Sequence, residues 1–148
     1  MAEKVIAENR KARHEYHLIE RHEAGLVLMG SEVKSLRQGQ AQLQRAYADI
    51  RDGELWLVGS HIAPYDQAGD RNHEPDRDRK LLLHRREISS LIGKIQERGF
   101  TLVPTRLYFK NGRAKVEIAL AKGKDVGDKR RAIKERELKR EMERATRR

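Results

Sequence analysis

The apolar positions of this chain fall into short runs with two different spacings. In the last of them Val116, Ile118 and Leu120 alternate with polar neighbours, and Asn111-Gly112 supplies the left-handed residues of a tight turn. This predicts an antiparallel hairpin, 100–109 against 113–121. A second hairpin is predicted from 46–51 and 55–58, joined at Asp52-Gly53. Weak alternation over 16–21, a Glu23-Ala24-Gly25 turn and the apolar run 26–29 predict a third. From His84 to Arg98 the spacing becomes helical: Ile88, Leu91, Ile92 and Ile95 make one stripe, and Gly99 fits a C-terminal stop. A shorter helix over 32–37, capped by Ser31 and ended at Gly39, puts Val33 and Leu36 on one face. Residues 1–13 predict a loose polar leader, and 66–80, with Pro75, a long loop. About six short strands in antiparallel pairs, with few helices, favour a mainly β fold and a small barrel.

The pattern changes beyond Ala121-Lys122-Gly123-Lys124, which closes the apolar body. The expected division is a barrel over 1–124 and a basic tail over 125–148. From Lys122 onward there are 12 Lys/Arg and 6 Asp/Glu, so this arm carries +6 of the chain's +10. Such arms neutralise phosphate and release condensed counterions. Asp128 fits a helix N-cap, and Glu135–Lys139 and Glu143–Arg147 are favourable pairs one turn apart. Ile133, Leu138 and Met142 make no clean stripe, so the tail is expected to be disordered when free and to order on a partner. The same lack of an apolar face speaks against membrane attachment.

A length of 148 residues holds one domain plus an appendage. The charge points to a nucleic acid. There is no cysteine, which excludes disulfides and thiolate metal sites and fits a cytoplasmic location. MAEKVIAENRKARHEY lacks the apolar stretch of a secretory signal, and no run approaches a membrane span. His14, His17 and His22 lie near Glu15, Glu20 and Glu23, but on a strand His14 and His17 point to opposite faces. No metal and no cofactor is expected. No phosphate loop, dinucleotide fingerprint or nucleophile elbow is present, so a binding protein is expected rather than an enzyme. Basic residues cluster at Arg10-Lys11-Arg13, at Arg77-Arg79-Lys80, at Arg85-Arg86 and in the tail. The few aromatics are expected mostly in the core, with one or two left to stack on bases.

Several segments taken in order resemble the SsrA-binding protein family, also called small protein B (SmpB). They are Asn9 to Tyr16 (NRKARHEY), Glu23-Ala24-Gly25-Leu26, Gly30 to Arg37 (GSEVKSLR), Asp52-Gly53-Glu54 and Arg79 to Leu83 (RKLLL). Tyr108 to Gly112 (YFKNG), Ala121 to Lys124 (AKGK) and Asp128-Lys129-Arg130 follow. Each motif is weak alone; the ordered set is specific and covers the chain from Asn9 onward. The resemblance implies a closed, OB-like antiparallel barrel with flanking short helices. It implies binding to the tRNA-like domain of transfer-messenger RNA (tmRNA, SsrA RNA) and a role in trans-translation, the rescue of ribosomes stalled on messages without a stop codon. It also implies a tail that enters the empty mRNA channel and becomes helical beside small-subunit ribosomal RNA at the decoding centre. Elongation factor Tu would deliver the alanyl-tmRNA. The protein is expected to act as a monomer.

The resemblance assigns Asn9, Glu23 and Leu82 to tmRNA and Asp128, Lys129 and Arg130 to the ribosomal step. With their basic neighbours, the expected tmRNA set is Asn9, Arg10, Lys11, Arg13, Glu23, Lys80 and Leu82. The expected ribosomal set is Lys122, Lys124, Asp128, Lys129, Arg130, Lys134 and Arg136. A neutral amide at Asn9 suits a base edge. Glu23 suits a base amino group or a 2′-hydroxyl, or else the orientation of nearby arginines. Leu82 faces RNA or core, depending on a strand through 81–83. Many relatives carry a basic residue and an aromatic or histidine just before Asp-Lys-Arg, where this chain has Asp125-Val126-Gly127; that stacking contact stays open. The alternative is another OB-fold ribosomal protein or translation factor with a basic arm.

Overall fold

The computed structural model describes residues 3–123 and, beyond them, Leu138, Arg140 and Met142; for 97 and 98 it describes the backbone alone. The order is β1 (Lys4–Glu8), α1 (Arg10–Glu15), β2 (Tyr16–Leu26), α2 (Gly30–Arg37), β3 (Ala41–Gln42), β4 (Tyr47–Arg51), β5 (Glu54–Val58), β6 (His61–Ile62), a 3-10 segment (Asp66–Arg71), β7 (Arg79–Leu82), α3 (Arg85–Arg98), β8 (Thr101–Lys110) and β9 (Arg113–Gly123). Six strands pair in the order β8-β4-β5-β7-β2-β9, and β9 returns to β8, so the sheet closes into an antiparallel barrel. Closure leaves few free edges. β1 lies on β8 beyond its contact with β4, and β3 pairs with β6 as a two-stranded annex.

The interior is aliphatic: Leu55, Leu57, Leu81, Leu102, Leu107, Val116, Ile118 and Leu120 come from the strands, Leu36 from α2 and Leu91 from α3. Ile88 and Ile95 of the predicted stripe pack on the same core, and Gly99 ends α3 at φ 67°. The turns at Asp52-Gly53 and Asn111-Gly112 have the positive φ values their residues suit. A second, smaller apolar cluster sits outside the barrel, where Ala12 of α1 meets Val103, Ala119, Ala121, Tyr16 and Leu18. Register shifts mark bulges between Leu18 and Glu20 in β2 and between Pro104 and Arg106 in β8.

Four expectations are corrected. The leader 1–13 carries β1 and most of α1, because β8 has an edge to offer 4–8 and Asn9 caps the helix. The 16–29 hairpin is one continuous strand to Leu26: Gly25 is extended and pairs with Lys115 on one side and Leu82 on the other. The α2 N-terminus is held by Glu32, whose Oε1 accepts from the Met29 amide at 2.8 Å, while the Ser31 hydroxyl lies 2.9 Å from His73 Nδ1. The loop over 66–80 is shorter than expected, since Arg79 and Lys80 already belong to β7.

Candidate nucleic-acid interface

The inward side of β9 takes Val116 and Ile118, so Lys115 and Glu117 point outward. Strand register sets Lys115 beside Gly25 and Tyr108, and Glu117 beside Glu23 and Arg106. On β7 the same alternation buries Leu81 and leaves Leu82 50% exposed, opposite Gly25. Leu82 therefore faces outward, one of the two readings the sequence left open. Glu23, Gly25, Leu82, Leu83, His84, Glu87 and Lys115 line an open groove of about 400 Å³. Gly25 keeps its floor low: a Cβ there would sit 3.4 Å from Leu82 Cβ and 3.8 Å from Lys115 Nζ.

Glu23 is the charged centre of this wall. Its Oε2 accepts from the Tyr108 hydroxyl at 2.5 Å and from Lys110 Nζ at 3.3 Å. These hydrogen bonds, Tyr108 first, together with the Lys110 and Lys115 charges, hold the carboxyl below the usual carboxylate range against partial desolvation. Burial and the Glu23 charge push the Tyr108 hydroxyl well above its ordinary value, so it keeps its proton and donates. The Arg106 guanidinium lies over the Tyr108 ring, 4.2 Å from its centroid. These contacts run through Oε2, no hydrogen bond to Oε1 occurs among the described residues, and the side chain is 37% exposed, which leaves the carboxylate acceptor capacity.

The other assigned residues sit around this centre. Asn9 is buried, and both ends of its amide are engaged: Nδ2 donates to Pro104 O at 3.0 Å, and Oδ1 accepts from Ala12 N at 3.3 Å. It fixes where α1 starts, which sets Arg10 and Arg13. Those two line a cleft of about 270 Å³ with Glu8, Asn9, His14, Thr105, Arg106 and Glu117. Lys11 is exposed and 3.5 Å from Glu15. Glu117 accepts from Thr105 Oγ1 at 2.5 Å and lies 3.6 Å from Arg106 Nε, joining this cleft to the Glu23 wall. Lys80 points outward with Leu82 and pairs loosely with Glu54 at 3.1 Å. Lys122 is the next-to-last residue of β9, opposite His17, and so belongs to the barrel. Lys124, Asp128, Lys129, Arg130, Lys134 and Arg136 lie outside the described residues.

The proposed basic cluster at Arg77-Arg79-Lys80 does not form. Arg79 is completely buried: Nε donates to Glu32 Oε2 at 2.5 Å, and NH1 donates to Ser60 O at 3.1 Å and to Ser60 Oγ at 2.9 Å. Arg77 turns the same way and donates to the other Glu32 oxygen. Burial pushes the Glu32 carboxyl up, but Arg77, the Met29 amide and Arg79 outweigh it and hold it below its ordinary range. The RKLLL segment contributes Lys80 and Leu82 to the surface and Arg79 to the interior.

Residue reasoning missed Tyr108, Lys110, Lys115, Arg106 and Glu117. The available signal was alternation on the last hairpin: positions flanking Val116 face out, and cross-strand neighbours meet them. Among the described residues no group of three or more His, Asp or Glu side chains is placed to hold a metal ion. His22 instead bridges β2 and α3, with Nε2 3.1 Å from Glu20 and Nδ1 3.1 Å from Glu87. Among the described residues no helix is long and apolar enough to cross a membrane.

The family model described as SmpB protein matches residues 6–148. The SsrA-binding protein of Sulfurihydrogenibium sp. is 57% identical over 145 residues, covering 98% of this chain and 95% of that protein. The SsrA-binding protein of Symbiobacterium thermophilum is 60% identical over 143 residues, covering 96% and 90%. A chain of the solved structure "tmRNA-SmpB: a journey to the center of the bacterial ribosome" superposes with a TM-score of 0.66 at 48% identity, covering 80% of this chain and 84% of that one.

Proposed function

This chain belongs to the SmpB family, and from that premise we propose that it is an RNA-binding protein of trans-translation, holding the tRNA-like domain of tmRNA and bringing it to ribosomes stalled on messages without a stop codon. The observation that carries the reading is the family match over 6–148, together with a barrel wall bearing an ionised acceptor, Glu23, beside an exposed leucine, Leu82. A leucine left half in water beside Glu23 and Lys115 suits the face of an unstacked base or a ribose; Glu23 Oε1 suits a base amino group or a 2′-hydroxyl. Arg10, Lys11, Arg13, Lys80 and Lys115 supply phosphate contacts around them. Asn9 acts by holding α1. The protein works by binding, without turnover, in the cytoplasm and as a monomer.

The tail, 125–148, serves the ribosomal step. Lys124, Lys129, Arg130, Lys134 and Arg136 meet phosphates of the empty mRNA channel, Asp128 caps a helix that forms there, and elongation factor Tu brings the alanyl-tmRNA. Recovering the protein from cells and sequencing the bound RNA tests the first half: tmRNA should dominate, and enrichment of ribosomal or messenger RNA alone would sink it. Changing Asp128, Lys129 and Arg130 together to Ala tests the second. Binding of the tRNA-like domain should stay within about threefold, under ~0.7 kcal/mol, while tagging of a nascent chain on a truncated message is lost. Normal tagging by that variant would reject the tail mechanism.

A further inference from the structure

A row of alternating charges ties α3 to β2 beside the groove. Beyond the β2 bulge Glu20, His22 and Ala24 share one side of the strand, the side on which Ala24 enters the core. Helix α3 packs on that core through Ile88, Leu91 and Ile95. The His22 side chain, 20% exposed, sits between the two elements. Its Nε2 lies 3.1 Å from Glu20 Oε1, and its Nδ1 lies 3.1 Å from Oε2 of Glu87, in the first turn of α3. Further along α3, Lys94 Nζ donates to Glu20 Oε2 at 2.6 Å. The charged groups facing His22 are thus Glu20 from β2 and Glu87 from α3, with Lys94 behind Glu20, while β9 sets the apolar Ile118 beside it. Glu23, Lys115 and His84 are the other titratable groups lining the adjoining groove.

This geometry calls for a proton on both ring nitrogens. An ionised carboxylate only accepts, and a neutral imidazole has a single N–H, so it can answer Glu20 or Glu87 but not both. With both nitrogens protonated, the ring and the Lys94 ammonium balance the two carboxylates. Without the second proton the cluster carries a net negative charge. Lys94 leads the causes that hold the Glu20 carboxyl below its ordinary range, so Glu20 is answered in either state. Glu87 has no such reserve: among the described residues His22 is the one partner of its carboxylate. Glu87 also lines the groove with Glu23 and Leu82. Loss of the proton therefore leaves an unanswered carboxylate at the rim of the groove, where it repels phosphate.

We infer that His22 is a positioning residue for RNA binding: a protonated bridge that holds Glu87 against β2 and neutralises it, so that the groove takes RNA more tightly while both ring nitrogens carry a proton. This rests on the reading of the Glu23 and Leu82 groove as the wall that holds the tRNA-like domain. Histidine side chains change charge between about pH 5 and 8, so the linkage falls in a range where the RNA bases themselves stay neutral. It is also reciprocal: bound RNA must favour the protonated ring by the same factor by which that proton favours RNA.

The test measures binding of the full chain to the tRNA-like domain at fixed salt between about pH 5.5 and 8. Wild-type affinity should fall about three- to tenfold as the pH rises, with a slope of no more than one proton. His22→Gln should bind at every pH about as the wild type does at the upper end, with a flat profile. His84→Gln, which alters the other groove histidine, should keep the wild-type profile. In NMR titrations of the wild type, saturating RNA should raise the midpoint of the His22 ring by about half to one pH unit. This arm decides the matter even where His22→Gln fails to fold. A merely structural His22 would lower the melting temperature of His22→Gln without that movement of the midpoint. Flat wild-type binding, a profile that survives in His22→Gln or vanishes in His84→Gln, or a His22 midpoint indifferent to RNA would overturn the proposal and leave the groove assignment standing. No binding at any pH would overturn both.

Discussion

Glu23 and Glu32 are nine residues apart, and hydrogen bonds favour the charged form of each, yet their surroundings differ. Glu32 is sealed between Arg77 and Arg79 with no exposed surface; its contacts tie α2 to β7 and to the segment before it. Glu23 is held through one oxygen, by Tyr108 and Lys110, and its side chain stays 37% exposed. The comparison teaches that a lowered carboxyl pKa does not by itself mark a binding site. What separates the two residues is whether donors surround the carboxylate or leave part of it free. Around Glu32 both carboxylate oxygens are taken by guanidiniums, so the cluster serves the fold. Around Glu23 Lys115 completes a partly neutralised surface on which a base donor can still land.

The largest effect that would break this contrast is on stability. Glu32→Ala leaves the Arg79 guanidinium buried without its carboxylate and should destabilise the protein by about 3–5 kcal/mol in urea or thermal melts. Its RNA affinity, measured where it is still folded, should be near wild type. The pH dependence follows the same residue. The folded-state pKa of Glu32 lies below its unfolded value, so its stabilisation is fully present above about pH 4.3 and is lost as the pH falls through the lower folded value. Acid melts of the wild type should show this loss, and Glu32→Gln should flatten it.

Next come the outward pair. Glu23→Ala and Leu82→Asp should each weaken binding of the tRNA-like domain by about 1–3 kcal/mol. Leu82→Asp should change stability by about 0.5 kcal/mol or less, because the side chain does not fill the core, whereas Glu23→Ala should cost about 1–3 kcal/mol by stranding the buried Tyr108 hydroxyl. Unfolding of Leu82→Asp would erase the distinction between the two regions. A smaller effect sharpens it: Tyr108→Phe removes only the donor to Glu23 and should cost about 0.5–1.5 kcal/mol of RNA affinity. In the same variant the Glu23 carboxyl should move back up toward its ordinary pKa, readable by NMR titration. The smallest effect belongs to an exposed network serving neither role. Arg51 pairs with Asp49 at 3.0 Å and with Asp78 at 2.6 Å. Arg51→Ala should leave the thermal melt close to wild type and leave RNA binding alone.

How much of this was legible in the chain depends on range. The hairpins at Asp52-Gly53 and Asn111-Gly112 and helix α3 were readable because turn chemistry and the 3.6-residue stripe are local. Leu82 was half legible: alternation said it opposes Leu81, but only pairing with β2 makes 79–82 a strand. Arg79 was misread because its partner, Glu32, is 47 positions away, and nothing local separates a buried cation from a surface one. β1 was missed because 4–8 is stabilised by pairing with 106–109, a contact between segments about 100 positions apart. The amide of Asn9 looked available because its acceptor, Pro104 O, is equally remote. For the candidate site, the ordered motif set proposed Glu23 and Leu82, which the fold sets in one groove, while the residues around Glu23 came from the register of β8 against β9 and β2.

The bulges in β2 and β8 give the barrel a reading frame. In β2 the even-numbered Tyr16 and Leu18 meet α1 outside the barrel, and the even-numbered Ala24, beyond the bulge, faces the core. In β8 the even-numbered Leu102 faces the core before the bulge and the odd-numbered Leu107 faces it afterwards. Each bulge is thus an inversion of parity, worth one residue of chain, that lets a single strand serve two apolar clusters on opposite sides of the sheet. The register depends on the presence of a residue at Ile19 and at Thr105. Deleting either one would swap inside for outside along the rest of the strand, and in β2 it would turn Glu23 into the core and Ala24 out to the RNA.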